Sequence, residues 1–77
     1  MCTIMHTRPQ ELATEIGARV REARHALGLP QEDLALVANV SRRTIVSIEQ
    51  GKSTTRLDVL VAVLDAVGLD LRVAERR

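Results

Sequence analysis

The chain has 77 residues and a formal charge of +1, with no Phe, Tyr or Trp and one cysteine. That length is one domain near the lower limit for folding without disulfides, metals or a partner chain, so self-association is expected of its small aliphatic core. A single Cys2 excludes an internal disulfide, no apolar run approaches a bilayer-spanning length, and the balanced charge means that any basic face must be assembled by folding.

Residues 1–6 lack periodicity and read as a loose arm. Thr7 opens a T-x-x-Q capping pattern with Gln10, and Pro9 suits a first helical turn. Leu12, Ile16, Val20, Ala23 and Leu27 then follow at spacings of three and four, which predicts a first helix stopped by Gly28. Gly17 inside it costs roughly 1 kcal/mol relative to Ala, a cost that a close helix crossing would explain. A second helix begins at Pro30 and Gln31, with Glu32 and Asp33 suited to the positive end of its dipole. It buries Leu34, Ala35 and Ala38 and stops at Asn39, which tolerates positive φ. Ser41 caps a third helix, Arg42 to Gln50, closed by Gly51. The loop KSTT leads to a fourth, roughly Arg56 to Val67, ended by Gly68. In LDLRVAE, Leu69, Leu71 and Val73 alternate with polar residues, which is strand spacing. The expected fold is therefore mainly α: four helices and a short C-terminal strand.

On a 3.6-residue helix, Ile45 and Ile48 share the buried side of residues 42–50. Arg43, Val46, Ser47 and Gln50 face outward, with Arg42 on the flank. Two forked donors near the N-terminus, short polar groups and one methyl-bearing side chain match what a DNA major groove presents. The second helix of a helix-turn-helix offers its N-terminal residues to that groove. The alternative is a plain helical hairpin with solvated arginines.

The run GLPQEDLALVANVSRRTIVSIEQG resembles the helix-turn-helix of the Xre (Cro/CI-like) regulators, over roughly residues 11–68. The resemblance implies that Gln31 contacts phosphate and base, that Arg42, Arg43 and Ser47 read bases, and that Lys52 and Ser53 contact phosphate. With the neighbours Ser41, Thr44, Val46 and Gln50 these make the expected DNA-binding set. It also implies a buried ion pair between Arg24 and Glu49. Pro30, where a Ser or Thr cap is usual, and Asn39, where Gly is commoner, depart from the family pattern. The tail, KSTTRLDVLVAVLDAVGLDLRV, is similar to the HipB antitoxin branch. That likeness implies a strand paired with its copy across a homodimer, repression at a palindromic double-stranded operator, and a HipA-like kinase toxin as partner.

The fourth helix is apolar nearly all round, which predicts burial nearly all round. Leu57, Leu60, Val61, Leu64 and Val67 form the expected core stripe. Val59 and Val63, with Leu69, Leu71 and Val73, form the expected dimer interface. Pairing of the strand with residues 2–6 of the same chain is the competing arrangement.

Cys2, His6 and His25 have no ligand spacing, so no metal site is expected. No catalytic constellation and no cofactor are expected either. The reading is one domain over 1–77, with 1–6 as the arm and 69–77 as dimerising strand and tail. It is a non-enzymatic, cytoplasmic, nucleoid-associated repressor that makes no membrane contact. A stand-alone Xre-type regulator (a phage repressor or restriction controller) and a pure protein-interaction module are the alternatives.

Overall fold

The computed structural model describes residues 8–75. It contains four helices: α1 (Pro9–Ala26), α2 (Gln31–Ala38), α3 (Arg42–Glu49) and α4 (Leu57–Ala66). α3 packs against both α1 and α2, and α2 packs also on α4. The core is aliphatic throughout. Val20, Leu34, Ile45 and Val63 are its largest fully buried side chains, joined by Ala35, Ala38, Ile48, Leu64 and Val67.

The α1 stripe is deep only in its middle. Val20 is fully buried and Ile16 and Ala23 pack against the core, whereas Leu12 and Leu27 lie mostly exposed, because α1 outruns the body it covers. The expected cap is also revised. Thr7 lies outside the described residues, and the N-cap is Arg8, which makes no side-chain cap bond. Gln10 instead turns its amide to another element, donating to the Gly51 carbonyl at 2.9 Å.

Gly17 has the structural reason its sequence position asks for. A Cβ there would collide with the Ile48 carbonyl oxygen of α3, so the absence of a side chain sets how near α1 and α3 approach. Between α2 and α3, Asn39 takes the left-handed conformation (φ 59°, ψ 46°). The Val40 amide then donates back to the Ala35 carbonyl at 2.9 Å. This closes α2 and re-aims the chain. Ser41 Oγ accepts from the Thr44 amide at 3.1 Å and starts α3.

The faces of α4 differ from the expected division. Its inward arc is Leu60, Val63, Leu64 and Val67, spaced by three, one and three residues. Val61 lies one residue, or about 100°, round from Leu60 and is largely exposed, as is Leu57 in the first turn. Val63, expected at a dimer interface, is fully buried within the chain itself; Leu57 and Val61 take the outward role.

The tail forms no strand among the described residues. Strand backbone must pair with another strand, and no described segment of one copy offers it a ladder. The Leu69 amide is bonded at 2.8 Å to the Leu64 carbonyl, and its side chain packs on the core. Leu71 is half exposed, and Val73 is 99% exposed. The alternative pairing with residues 2–6 lies outside the described residues.

Gly17→Ala tests the α1–α3 approach. In an ordinary helix this change stabilises by roughly 1 kcal/mol; here overpacking against backbone should cost about 1–3 kcal/mol net. Urea denaturation reads the difference, and a stabilised variant would contradict the close crossing.

Candidate nucleic-acid interface

The turn and cap that launch α3 also orient its surface. With Ile45 and Ile48 committed to the core, Arg42, Arg43 and Gln50 stand exposed. Thr44, Val46 and Ser47 are half-buried between them. Ser41 and Thr44, both expected at DNA, are occupied locally: their hydroxyls lie 2.9 Å apart, beside the capping bond. Their hydroxyls serve the start of the helix in this structure.

Past α3 the chain turns on Gly51, at φ 85°. The Lys52 amide donates to the Ser47 carbonyl at 3.1 Å, leaving the Lys52 and Ser53 side chains exposed. A shallow concavity runs beside the outward face of α3, lined by Arg43, Thr44, Ser47, Lys52, Thr54, Thr55, Arg56 and Val59. It brings Arg43, Ser47 and Lys52 together as expected. It adds Thr54, Thr55 and Arg56, which sequence reasoning missed, although K-S-T-T-R already set hydroxyls and a cation beside Lys52. Arg56 pairs with Asp58 at 2.8 Å, both well exposed, a pairing that solvent weakens.

The electrostatics follow from one buried carboxylate. From Ser41 to Arg56 the only acidic residue is Glu49, against the cations Arg42, Arg43, Lys52 and Arg56. Glu49 is held away from the surface by Arg24. Arg24 Nε donates to Glu49 Oε2 at 2.7 Å and Nη2 to Oε1 at 3.0 Å. The two side chains are only 10% and 5% exposed. Nη1 donates to the Leu29 carbonyl at 2.8 Å, and Nη2 lies 3.2 Å from His25 Nε2. The expected ion pair is therefore present as a forked, nearly buried contact. The outward surface of α3 itself is left to Arg42 and Arg43.

Gln31 stands apart from its expected role. Its Nε2 donates to Glu49 Oε1 at 3.3 Å, so the amide turns toward the ion pair from the first residue of α2. The hydrogen bond to Glu49 raises the Arg24 pKa above its ordinary value, burial opposes this, and the Glu49 charge adds to the rise. A raised cation contributes its stability fully below its unfolded pKa and loses it only as pH climbs through the folded one. For Arg24 that loss lies in strong alkali.

Cys2 and His6 lie outside the described residues, and among those described no three His, Cys, Asp or Glu gather as metal ligands. Among them, too, no helix is long and apolar enough to cross a membrane.

An α2–turn–α3 pair with one helix's charged face outward defines a helix-turn-helix module. The chain belongs to the helix-turn-helix family (HTH_3) of Xre/Cro-CI-like domains, whose sequence pattern matches residues 20–73. It is 39% identical over 66 residues to the uncharacterized HTH-type transcriptional regulator y4mF of Sinorhizobium fredii, covering 82% of this chain and 87% of that one. An uncharacterized HTH-type transcriptional regulator of Methanothermobacter thermautotrophicus is 39% identical over 49 residues, covering 64% and 71%. A putative HTH-type transcriptional regulatory protein of Archaeoglobus fulgidus is 51% identical over 37 residues, which are 48% of this chain but 12% of that longer protein.

Breaking the buried pair should be severe. Glu49→Gln leaves the Arg24 guanidinium nearly buried without its counter-charge, at a cost of about 3–5 kcal/mol, a large share of a typical total of roughly 5–15 kcal/mol. Guanidinium denaturation of variant and parent measures it. An unchanged midpoint would contradict the assignment.

Proposed function

We propose that this protein is a dimeric, sequence-specific DNA-binding transcriptional repressor. The observation that carries this reading is the outward face of α3: Arg42 and Arg43 exposed near its N-terminus, Ser47 beside them, and the local carboxylate sequestered by Arg24. Family membership and the regulator names of its relatives support it. Arg42, Arg43 and Ser47 read base edges, Val46 meets thymine methyls, and Gln50 lies at the far end of the same face. Lys52 and Ser53 hold phosphate. Ser41 and Thr44 cap the helix, and Gln31 contacts DNA with the amide donor and carbonyl that its bond to Glu49 leaves over.

The finer reading is an antitoxin of the HipB kind, which represses its own operon at a palindromic operator and neutralises a HipA-like kinase toxin. It works in the cytoplasm, at the nucleoid, as a single domain without catalysis. Its support is the likeness of the helix-and-tail sequence after α3. Dimerisation draws on the apolar surface left by one copy, with Leu57 at 64%, Val61 at 46% and Leu71 at 43% exposed. Val73, 99% exposed, completes this surface, whereas Val59 lies beside the α3 concavity and Leu69 on the core; the tails pair in an isologous antiparallel ribbon. Such a two-fold sets two α3 helices against half-sites about one helical turn apart.

Two variants separate reading from holding. A bidentate arginine–guanine contact contributes about 1–3 kcal/mol of discrimination, so Arg43→Ala should relax sequence preference on duplexes selected from a random pool. Lys52→Ala should weaken selected and random duplexes alike and flatten the salt dependence. Equal losses on both duplexes from both variants would defeat the assignment of Arg43. Sedimentation velocity at micromolar concentration tests the dimer: one species of twice the chain mass is expected, and a stable monomer would overturn it.

A further inference from the structure

The first half of α1 lies outside the family match, which starts at residue 20, yet it touches the loop that follows α3. Gln10 Nε2 donates to the Gly51 carbonyl at 2.9 Å, in a partly buried contact across 41 residues of sequence. Its Nε2 is also 3.3 Å from Thr14 Oγ1, and that hydroxyl donates to the Gln10 carbonyl at 2.9 Å. The amide is thus held by its own helix while it holds the loop.

Gly51 is seated just as closely. A Cβ there would stand 3.0 Å from Thr14 Oγ1 and 3.1 Å from Thr14 Cα. About two turns of α1, through Gln10, Thr14 and Gly17, therefore run along the C-terminal end of α3 and the first loop residue. Gly51 is at φ 85°, in the left-handed region that glycine favours. Lys52 is the next residue, and Pro9, Leu12, Lys52, Ser53 and Thr55 line one groove between α1 and the loop.

We propose that Gln10 is a positioning residue for DNA binding: by fixing the Gly51 carbonyl it aims Lys52 at the phosphate backbone. The proposal rests on the DNA-binding reading above, and it adds a part that the matched family region does not contain. Gln10 touches no nucleic acid; it acts through the loop. Its substitution costs affinity only while Lys52 is there to be aimed.

The test is a double-mutant cycle with Gln10→Met, Lys52→Ala and the pair. Methionine keeps the length and helix propensity of glutamine without its donor. Anisotropy of a fluorescein-labelled random-sequence duplex is read across a salt series. Amide hydrogen exchange of the free proteins is read alongside. Gln10→Met should weaken the duplex about threefold to tenfold, the range of one neutral hydrogen bond. It should add nothing in the Lys52→Ala background. Without DNA, the Lys52 amide, bonded to the Ser47 carbonyl, should exchange faster while the Leu34 and Ile45 amides do not change. Additive losses in the cycle, or unchanged exchange at Lys52, overturn the positioning role and leave the DNA reading intact. Failure of the unaltered protein to bind the duplex overturns both.

Discussion

One buried ion pair organises this small protein. Arg24, on α1, reaches Glu49 at the end of α3 with two nitrogens, the Leu29 carbonyl ahead of α2 with a third contact, and His25 beside it. Gln31 adds the start of α2 to the same carboxylate. Three helices thus meet on two side chains in a body without aromatic residues. An aliphatic core of nine small and medium residues is non-directional and tolerates sliding; a forked ionic contact does not, because each donor has one acceptor position. A buried pair is weak evidence for stability when compared with apolar replacements, but its breakage is costly. Here it pins α1, the start of α2 and the end of α3 to one carboxylate. The same contact removes the only carboxylate of the α3 surface from solvent, so the pin and the positive face share one cause.

Close approach is the second constraint. Gly17 admits the Ile48 carbonyl and Gly51 admits Thr14, so α1 lies against the C-terminal half of α3 along most of its inner ridge. Where α3 points is decided by α1 as much as by the turn at Asn39. The exposed end of α3 then projects from a packed body, as the proposed groove-reading role requires.

Much of this was legible in the sequence. The helix-stopping residues Asn39 and Gly51, the cap at Ser41, and the inward Ile45 and Ile48 follow from local rules that packing did not override. Gly17 was readable as a cost in want of a reason, and the reason was the Ile48 carbonyl. What sequence could not supply was rotation and reach. The apolar excess of α4 offered two stripes by period, and the one expected in the core held Val61; in the packed chain Val63 is buried instead. Gln10 and Gln31 read as a capping partner and a DNA contact; their amides went to Gly51 and Glu49, across separations that no local spacing reports. Leu69 followed the helix-ending geometry at Gly68 into the core, while Leu71 and Val73 stayed outside, their strand period without a described partner.

The central claim is that the outward face of α3 enters a major groove arginines first. Methylation interference on duplexes selected from a random pool tests it most directly, since guanine N7 lies in that groove. Interference is expected at guanines in two blocks about one helical turn apart, and it should vanish at one guanine in each block with Arg43→Ala. Binding insensitive to N7 methylation, or an interference pattern that Arg42 and Arg43 substitutions leave untouched, would contradict the account.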